Sequence, residues 1–159
     1  MCAHCGCESL ESIALLTAEH DRVVELSVAV LSALQANDLD MASGLARSIT
    51  TVLEPHTAVE ERALFPAMAV DYPDYVAGLL NDHDVIDAVL RESVDGTPTD
   101  PAWPARLQDA LSLLRTHIRK EENGLFPAAL TTLSTEAWEA VDRARGADAA
   151  ARPNPSGTW

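Results

Sequence analysis

Apolar residues recur along this chain at intervals of three and four, the spacing that lines one face of an α-helix. The first such stretch, residues 9–36, puts Ile13, Leu16, Val23, Val24, Val30, Leu31 and Leu34 on one side, with Ser9 placed to cap it. After the Ala36-Asn37-Asp38 turn a second stretch, 38–69, aligns Leu45, Ile49, Val52, Leu53, Ala63, Leu64 and Ala67. Pro55 lies inside it and predicts a kink or bulge, since proline removes a helical hydrogen bond and crowds the preceding turn. Asp71-Tyr72-Pro73-Asp74 starts a third helix over 74–94, with Val76, Leu79, Leu80, Ile86 and Leu90 inward. Asp95-Gly96-Thr97-Pro98 closes that helix, and the loop runs to Pro104. A fourth helix over 102–129 buries Leu107, Ala110, Leu111, Leu114, Leu125 and Ala128. Ser134 opens a short fifth helix with Trp138 and Val141 on its apolar side and Gly146 beyond its end. The reading is all-α: an up-down-up-down antiparallel four-helix bundle over 9–130, a short carboxy-terminal helix over 131–146, and a flexible tail over 147–159.

Polar residues interrupt the apolar faces in a repeated way. Of five histidines, four fall on inward faces, one per helix: His20, His56, His83 and His117. Two of them open matching segments, His56-Thr-Ala-Val-Glu60-Glu61-Arg-Ala-Leu64-Phe65-Pro66 and His117-Ile-Arg-Lys-Glu121-Glu122-Asn-Gly-Leu125-Phe126-Pro127. Both read H-x-x-x-E-E-x-x-L-F-P, and the four-residue step stacks each histidine and its first glutamate on one helical face. The other two sit in Glu19-His20-Asp21 and Asp82-His83-Asp84. The order His, His-x-x-x-Glu, His, His-x-x-x-Glu describes a helical hairpin present twice.

A lone histidine on an apolar stripe is usually a hydrogen-bonded core residue, and one His–Glu pair is usually a surface ion pair. Four inward histidines with two inward glutamates are a different matter. A buried carboxylate without a partner is destabilising by several kcal/mol, on the order of what one ion loses on leaving water. No lysine or arginine falls on the inward stripes; Arg62, Arg119 and Lys120 point elsewhere by periodicity. A bound cation resolves the conflict by neutralising the carboxylates and using the imidazole lone pairs. Four imidazoles and two carboxylates exceed one tetrahedral zinc and are too nitrogen-rich for magnesium or calcium. They fit a pair of first-row ions, iron first and manganese as the alternative, with coordination positions left open.

Composition narrows the partners. A net charge of −14 disfavours nucleic acid and anionic membrane surfaces. No apolar run reaches the ~18 residues of a membrane span and no apolar leader opens the chain, so the expected location is the cytoplasm. Residues 1–8 hold Cys2, His4, Cys5 and Cys7, which read either as a redox or soft-metal tail or as a mobile reduced segment.

The paired H-x-x-x-E-E-x-x-L-F-P segments with His20 and His83 resemble the hemerythrin-like, His-His-Glu cation-binding family over about residues 9–130. The resemblance implies a four-helix bundle holding an oxo- or hydroxo-bridged pair of irons. His20, His56, His83 and His117 would be terminal ligands, and Glu60 and Glu121 bridging carboxylates. The family's invertebrate oxygen carriers carry a further histidine on the third helix. Here Leu79 and Asp87 occupy the positions four before and four after His83, which is closer to the bacterial branch. That departure leaves an extra site open, or filled by Asp87 or water. The expected activity is peroxide or oxygen chemistry, most concretely catalase-like disproportionation, with Tyr72, Tyr75 and Glu61 as acid–base candidates. The alternatives are reversible oxygen or nitric oxide binding or sensing, with the cysteine cluster as an output element, and iron storage or donation for repair of iron centres.

Overall fold

A computed structural model describes residues 7–151, and every regular element among them is helical. The elements are α1 (Cys7–Gln35), α2 (Leu39–Val59), π1 (Glu60–Leu64), α3 (Phe65–Met68), α4 (Pro73–Arg91), α5 (Trp103–Lys120), π2 (Glu121–Leu125), α6 (Phe126–Thr132) and α7 (Thr135–Ala151). The segments α2–π1–α3 and α5–π2–α6 are each continuous rods. With α1 and α4 they form a ring in which α1 packs on α2 and α5, and α4 packs on α2 and α5. None of the described helices is long and apolar enough to cross a membrane.

Local chemistry accounts for most of the boundaries. Asn37 adopts the left-handed conformation (φ 54°) after α1, and the Asp38 N–H returns to the Ala33 carbonyl at 2.9 Å. Asp38 then caps α2, its carboxylate accepting the Met41 N–H at 3.0 Å. Pro73 opens α4, where its missing N–H has no helical partner to lose, and Gly96 (φ 133°) turns the chain after α4.

Several boundaries differ from the sequence reading. The first helix begins at Cys7, so Ser9 lies within it instead of capping it. The fifth helix is not short: α7 has 17 residues and runs through Gly146 to Ala151. Its alanine-rich sequence offsets the roughly 1 kcal/mol that a mid-helix glycine costs. Leu80, expected inward, is 38 % exposed, because the buried stripe runs through Val76, Leu79, Ile86 and Leu90. Trp138, expected on the apolar side of the fifth helix, is buried against its own chain. Cys2, His4 and Cys5 lie outside the described residues, and Cys7 is exposed at the start of α1.

The apolar interior forms two clusters. One contains Val23, Val30, Ile49, Leu90, Trp103 and Leu111. The other contains Leu16, Leu64, Phe65, Met68, Leu79, Phe126 and Trp138. The inward histidines and glutamates belong to neither. They come from helix positions between the two, where α1, α2, the two π-turns, α4 and α5 face one another.

Candidate metal centre

Irregularity in the helices sits at the site and not at Pro55. The α-helix passes through Pro55 unbroken, and the register widens instead at Glu60–Leu64 and Glu121–Leu125. The Phe65 N–H reaches back five residues to the Glu60 carbonyl, and the Phe126 N–H does the same to Glu121. A π-turn inserts one extra residue into a helix and is often found at functional sites. Both copies are followed by proline, Pro66 and Pro127, whose ring would clash with the fourth preceding carbonyl in a tight α-turn. The position matching Pro55 in the second half is Thr116, so Pro55 cannot be the common cause.

Two groups of side chains capable of holding a metal result: His20, His56, Glu60 and Glu121, and His83, His117, Glu60 and Glu121. Glu60 turns Oε1 to His56 Nε2 at 3.0 Å and Oε2 to His83 Nε2 at 3.3 Å. Glu121 turns Oε1 to His117 Nε2 and Oε2 to His20 Nε2, both at 3.0 Å. Each carboxylate therefore offers one oxygen to each histidine pair. Within the pairs, Nε2 lies 3.1 Å from Nε2 for His20 and His56, and 3.0 Å for His83 and His117.

Both glutamates are fully buried, and all four of their oxygens lack a partner in hydrogen-bonding geometry despite the nearby nitrogens. The glutamate oxygens stand close to imidazole nitrogens without hydrogen-bond alignment, and each pair of rings brings its Nε2 atoms together, so the donor atoms of each group face a shared point. Two donors about 2.1 Å from one cation and roughly at right angles would be about 3 Å apart, which is the observed spacing. The donor set fits a pair of divalent cations in charge as well, because each point receives two imidazoles and a share of two carboxylates.

Protons take the place of cations when none is bound. Burial alone would push the His56 ring down, but the Glu60 charge and the acceptor carboxylates of Glu19 and Glu60 beside the ring outweigh it and raise the pKa to about 10. His83 is likewise raised to about 9 against the effect of burial, chiefly by Glu60 and then by Glu61. Burial would raise the Glu60 carboxyl, yet His56 and His83 hold it well below the usual carboxylate range.

A second layer of carboxylates fixes the rings. Every Nδ1 meets one: His20 meets Glu122 Oε1 at 3.3 Å, His56 meets Glu19 Oε1 at 3.3 Å, His83 meets Glu61 Oε1 at 2.8 Å, and His117 meets Asp82 Oδ2 at 3.3 Å. With the ring proton donated from Nδ1, Nε2 keeps its lone pair for a metal. Lys120, read from the sequence as pointing away, places Nζ 2.9 Å from Asp82 Oδ2. Arg145 holds Glu19 through two contacts, at 2.7 and 3.2 Å. Burial would raise the Glu19 carboxyl, but His56 and Arg145 together lower it.

The aromatic residue of each repeat completes the support. Phe126 stacks on His20 with ring centroids 5.7 Å apart, and Phe65 on His83 at 5.3 Å. Each H-x-x-x-E-E-x-x-L-F-P segment thus braces the lone histidine of the other hairpin. The orienting carboxylates Glu19, Glu61, Asp82 and Glu122 were not read as such from the sequence. Their signal was there, as an acidic residue before each lone histidine and the second glutamate of each pair.

A cavity of about 330 Å³ opens between α2 and α4, with His20, His56, His83 and His117 at its floor. Leu53, Ile86, Leu90 and Leu114 form apolar walls, and Glu54, Arg62, Asp84 and Arg91 charge its rim. Asp87, expected as a further ligand or orienting group, lines the same cavity but belongs to neither metal-capable group. Its carboxylate is taken by the Arg91 guanidinium one turn along α4, a pairing that an exposed i,i+4 position favours. Leu79 is packed in the core. Tyr72 is exposed, the Tyr75 hydroxyl donates to the Lys120 carbonyl at 2.6 Å, and Glu61 holds His83.

Among known proteins, the family model for the hemerythrin HHE cation binding domain matches residues 11–129, from α1 into α6. No curated protein and no solved structure matches the chain.

Proposed function

The chain belongs to the hemerythrin HHE cation-binding family, and on that premise we propose that it is a di-iron protein that disproportionates hydrogen peroxide. His20 and His56 would hold one iron and His83 and His117 the other, with Glu60 and Glu121 shared between the two, within an up-down-up-down arrangement of the four rods. Manganese is the alternative metal. The observation that carries the reading is the sharing of both glutamates, oxygen by oxygen, between two histidine pairs at the floor of a cavity.

When bound, the metal pair supplies a two-electron redox change. The chain's own part is to hold and expose it. The Nδ1 carboxylates keep all four rings in one tautomer, so ligand geometry needs no rearrangement when charge at the centre changes. The α2–α4 cavity admits a small oxidant, and its leucine and isoleucine walls limit the water that accompanies it. Conversion of two peroxides into two waters and one dioxygen balances without an outside reductant, so no docking site for an electron donor is required. Because neither Leu79 nor Asp87 adds a ligand, the His83 side keeps room for peroxide.

Iron-loaded protein should evolve oxygen from hydrogen peroxide in an oxygen-electrode assay, and His83→Ala should reduce the rate to that of free iron. Equal rates in the two proteins would reject disproportionation. The same cavity also suits reversible capture of oxygen or nitric oxide. A reversible change in the visible spectrum with no oxygen evolution would select that second reading.

A further inference from the structure

Two of the four carboxylates behind the histidines are themselves held by a cation, and the two cations have different origins. Asp82, behind His117, is held by Lys120, which lies three residues beyond that histidine on the same rod. The matching position in the first half, 61 residues earlier, is Val59, which is buried in the apolar core. The first half therefore has no local cation for Glu19, the carboxylate behind His56. Arg145 fills that place from α7, reaching a residue 126 positions away in sequence.

The reach is built into the helix. Trp138 and Val141 precede Arg145 by seven and four residues, so all three share one face of α7. Trp138 and Val141 are 5 % and 1 % exposed, anchored with Leu16, Val59 and Met68. The helix packs on α1, α2 and π1, all parts of the first half. It also lies beyond residues 11–129, the span of the family match.

Resting on the dinuclear reading above, we propose that Arg145 is a positioning residue. The carboxy-terminal helix supplies the cation that the first repeat lacks, and by fixing Glu19 it fixes the His56 ring. That sets the affinity of the His20–His56 position separately from the other. Lys120 does the same for His117.

Cobalt(II) titrated into metal-free protein by calorimetry tests this, with wild type, Arg145→Met, Arg145→Lys and Lys120→Met compared. Methionine retains the packed stem and removes the charge. Wild type should take up two cobalt ions. Arg145→Met should weaken one of the two affinities by roughly 10–100-fold, the usual effect of losing an outer partner of a ligand, and leave the other alone. Arg145→Lys should recover most of the loss. In the cobalt-loaded proteins each histidine contributes a paramagnetically shifted ring N–H signal, and Arg145→Met should move or bleach one of the four. Lys120→Met should weaken the other position and move a different signal. Unchanged affinities and signals in Arg145→Met would overturn the proposal, as would an equal loss at both positions, which is the mark of a merely structural helix. Wild-type protein that binds no pair of cobalt ions would instead overturn the dinuclear reading and this inference with it.

Discussion

Glu60 and Glu121 each face both histidine pairs, whereas each histidine serves one. Substitutions at the two residue types should therefore differ in kind. Glu121→Ala is expected to abolish tight uptake of both cations, while His83→Ala keeps the cation of the His20–His56 side; metal analysis of the purified variants measures this. Phe126 is buried and stacked on His20, so Phe126→Ala should lower unfolding free energy by about 3–5 kcal/mol in urea titrations, the usual range for a lost core aromatic. The inner histidines and glutamates were legible because buried polar groups break an apolar stripe. The phenylalanines were read only as part of the repeated segment, without a contact to a histidine. In an unbroken helix a residue nine after His56 would lie on the opposite side, about 180° away. An apolar Phe65 there was a trace of the extra residue in the π-turn.

At the level of elements, the rods were readable from periodicity and their register was not. A single inserted residue leaves three- and four-residue spacing intact on either side, so π1 and π2 are nearly silent in the pattern. Pro55 drew notice because proline is conspicuous, yet α2 runs through it and the second half does without it. Pro55→Ala should accordingly leave metal content unchanged. Deleting Asn123 is a sharper change, because it restores α-register after Glu121 and turns Phe126 by about 100° away from His20. Loss of metal uptake with helix content retained by circular dichroism is the expected result. Normal uptake would show that the widened turn is incidental.

The molecule as a whole should respond to pH in opposite ways with and without metal. His56 and His83, at about 10 and about 9, stand above the ordinary imidazole value of about 6.5. Stability from groups raised on folding is fully present below the unfolded value and is lost as pH climbs through the folded one. The metal-free protein should thus melt at progressively lower temperature between about pH 6.5 and 10. Cation binding must expel those same protons, so affinity should rise over that window and the loaded protein should not share the decline. Melting curves with and without chelator across the range measure both. The acidic composition and bundle class were legible at this scale. The seating of α7 was not, since the Arg145–Glu19 contact spans 126 residues and no local pattern marks it.

The crossed bracing of the histidines has a consequence for biosynthesis. Glu122 and Phe126 hold His20, and Glu61 and Phe65 hold His83, so neither hairpin carries a finished half-site. While the chain is being made, the first hairpin leaves the ribosome with its amino-terminal histidine unsupported and with only one of its two glutamates. The full donor set of either metal-capable group is thereby present only once the second hairpin has been translated. A product of interrupted synthesis would hold at most three of the four donors of the His20–His56 position, so the duplication makes completion of either position depend on completion of the chain.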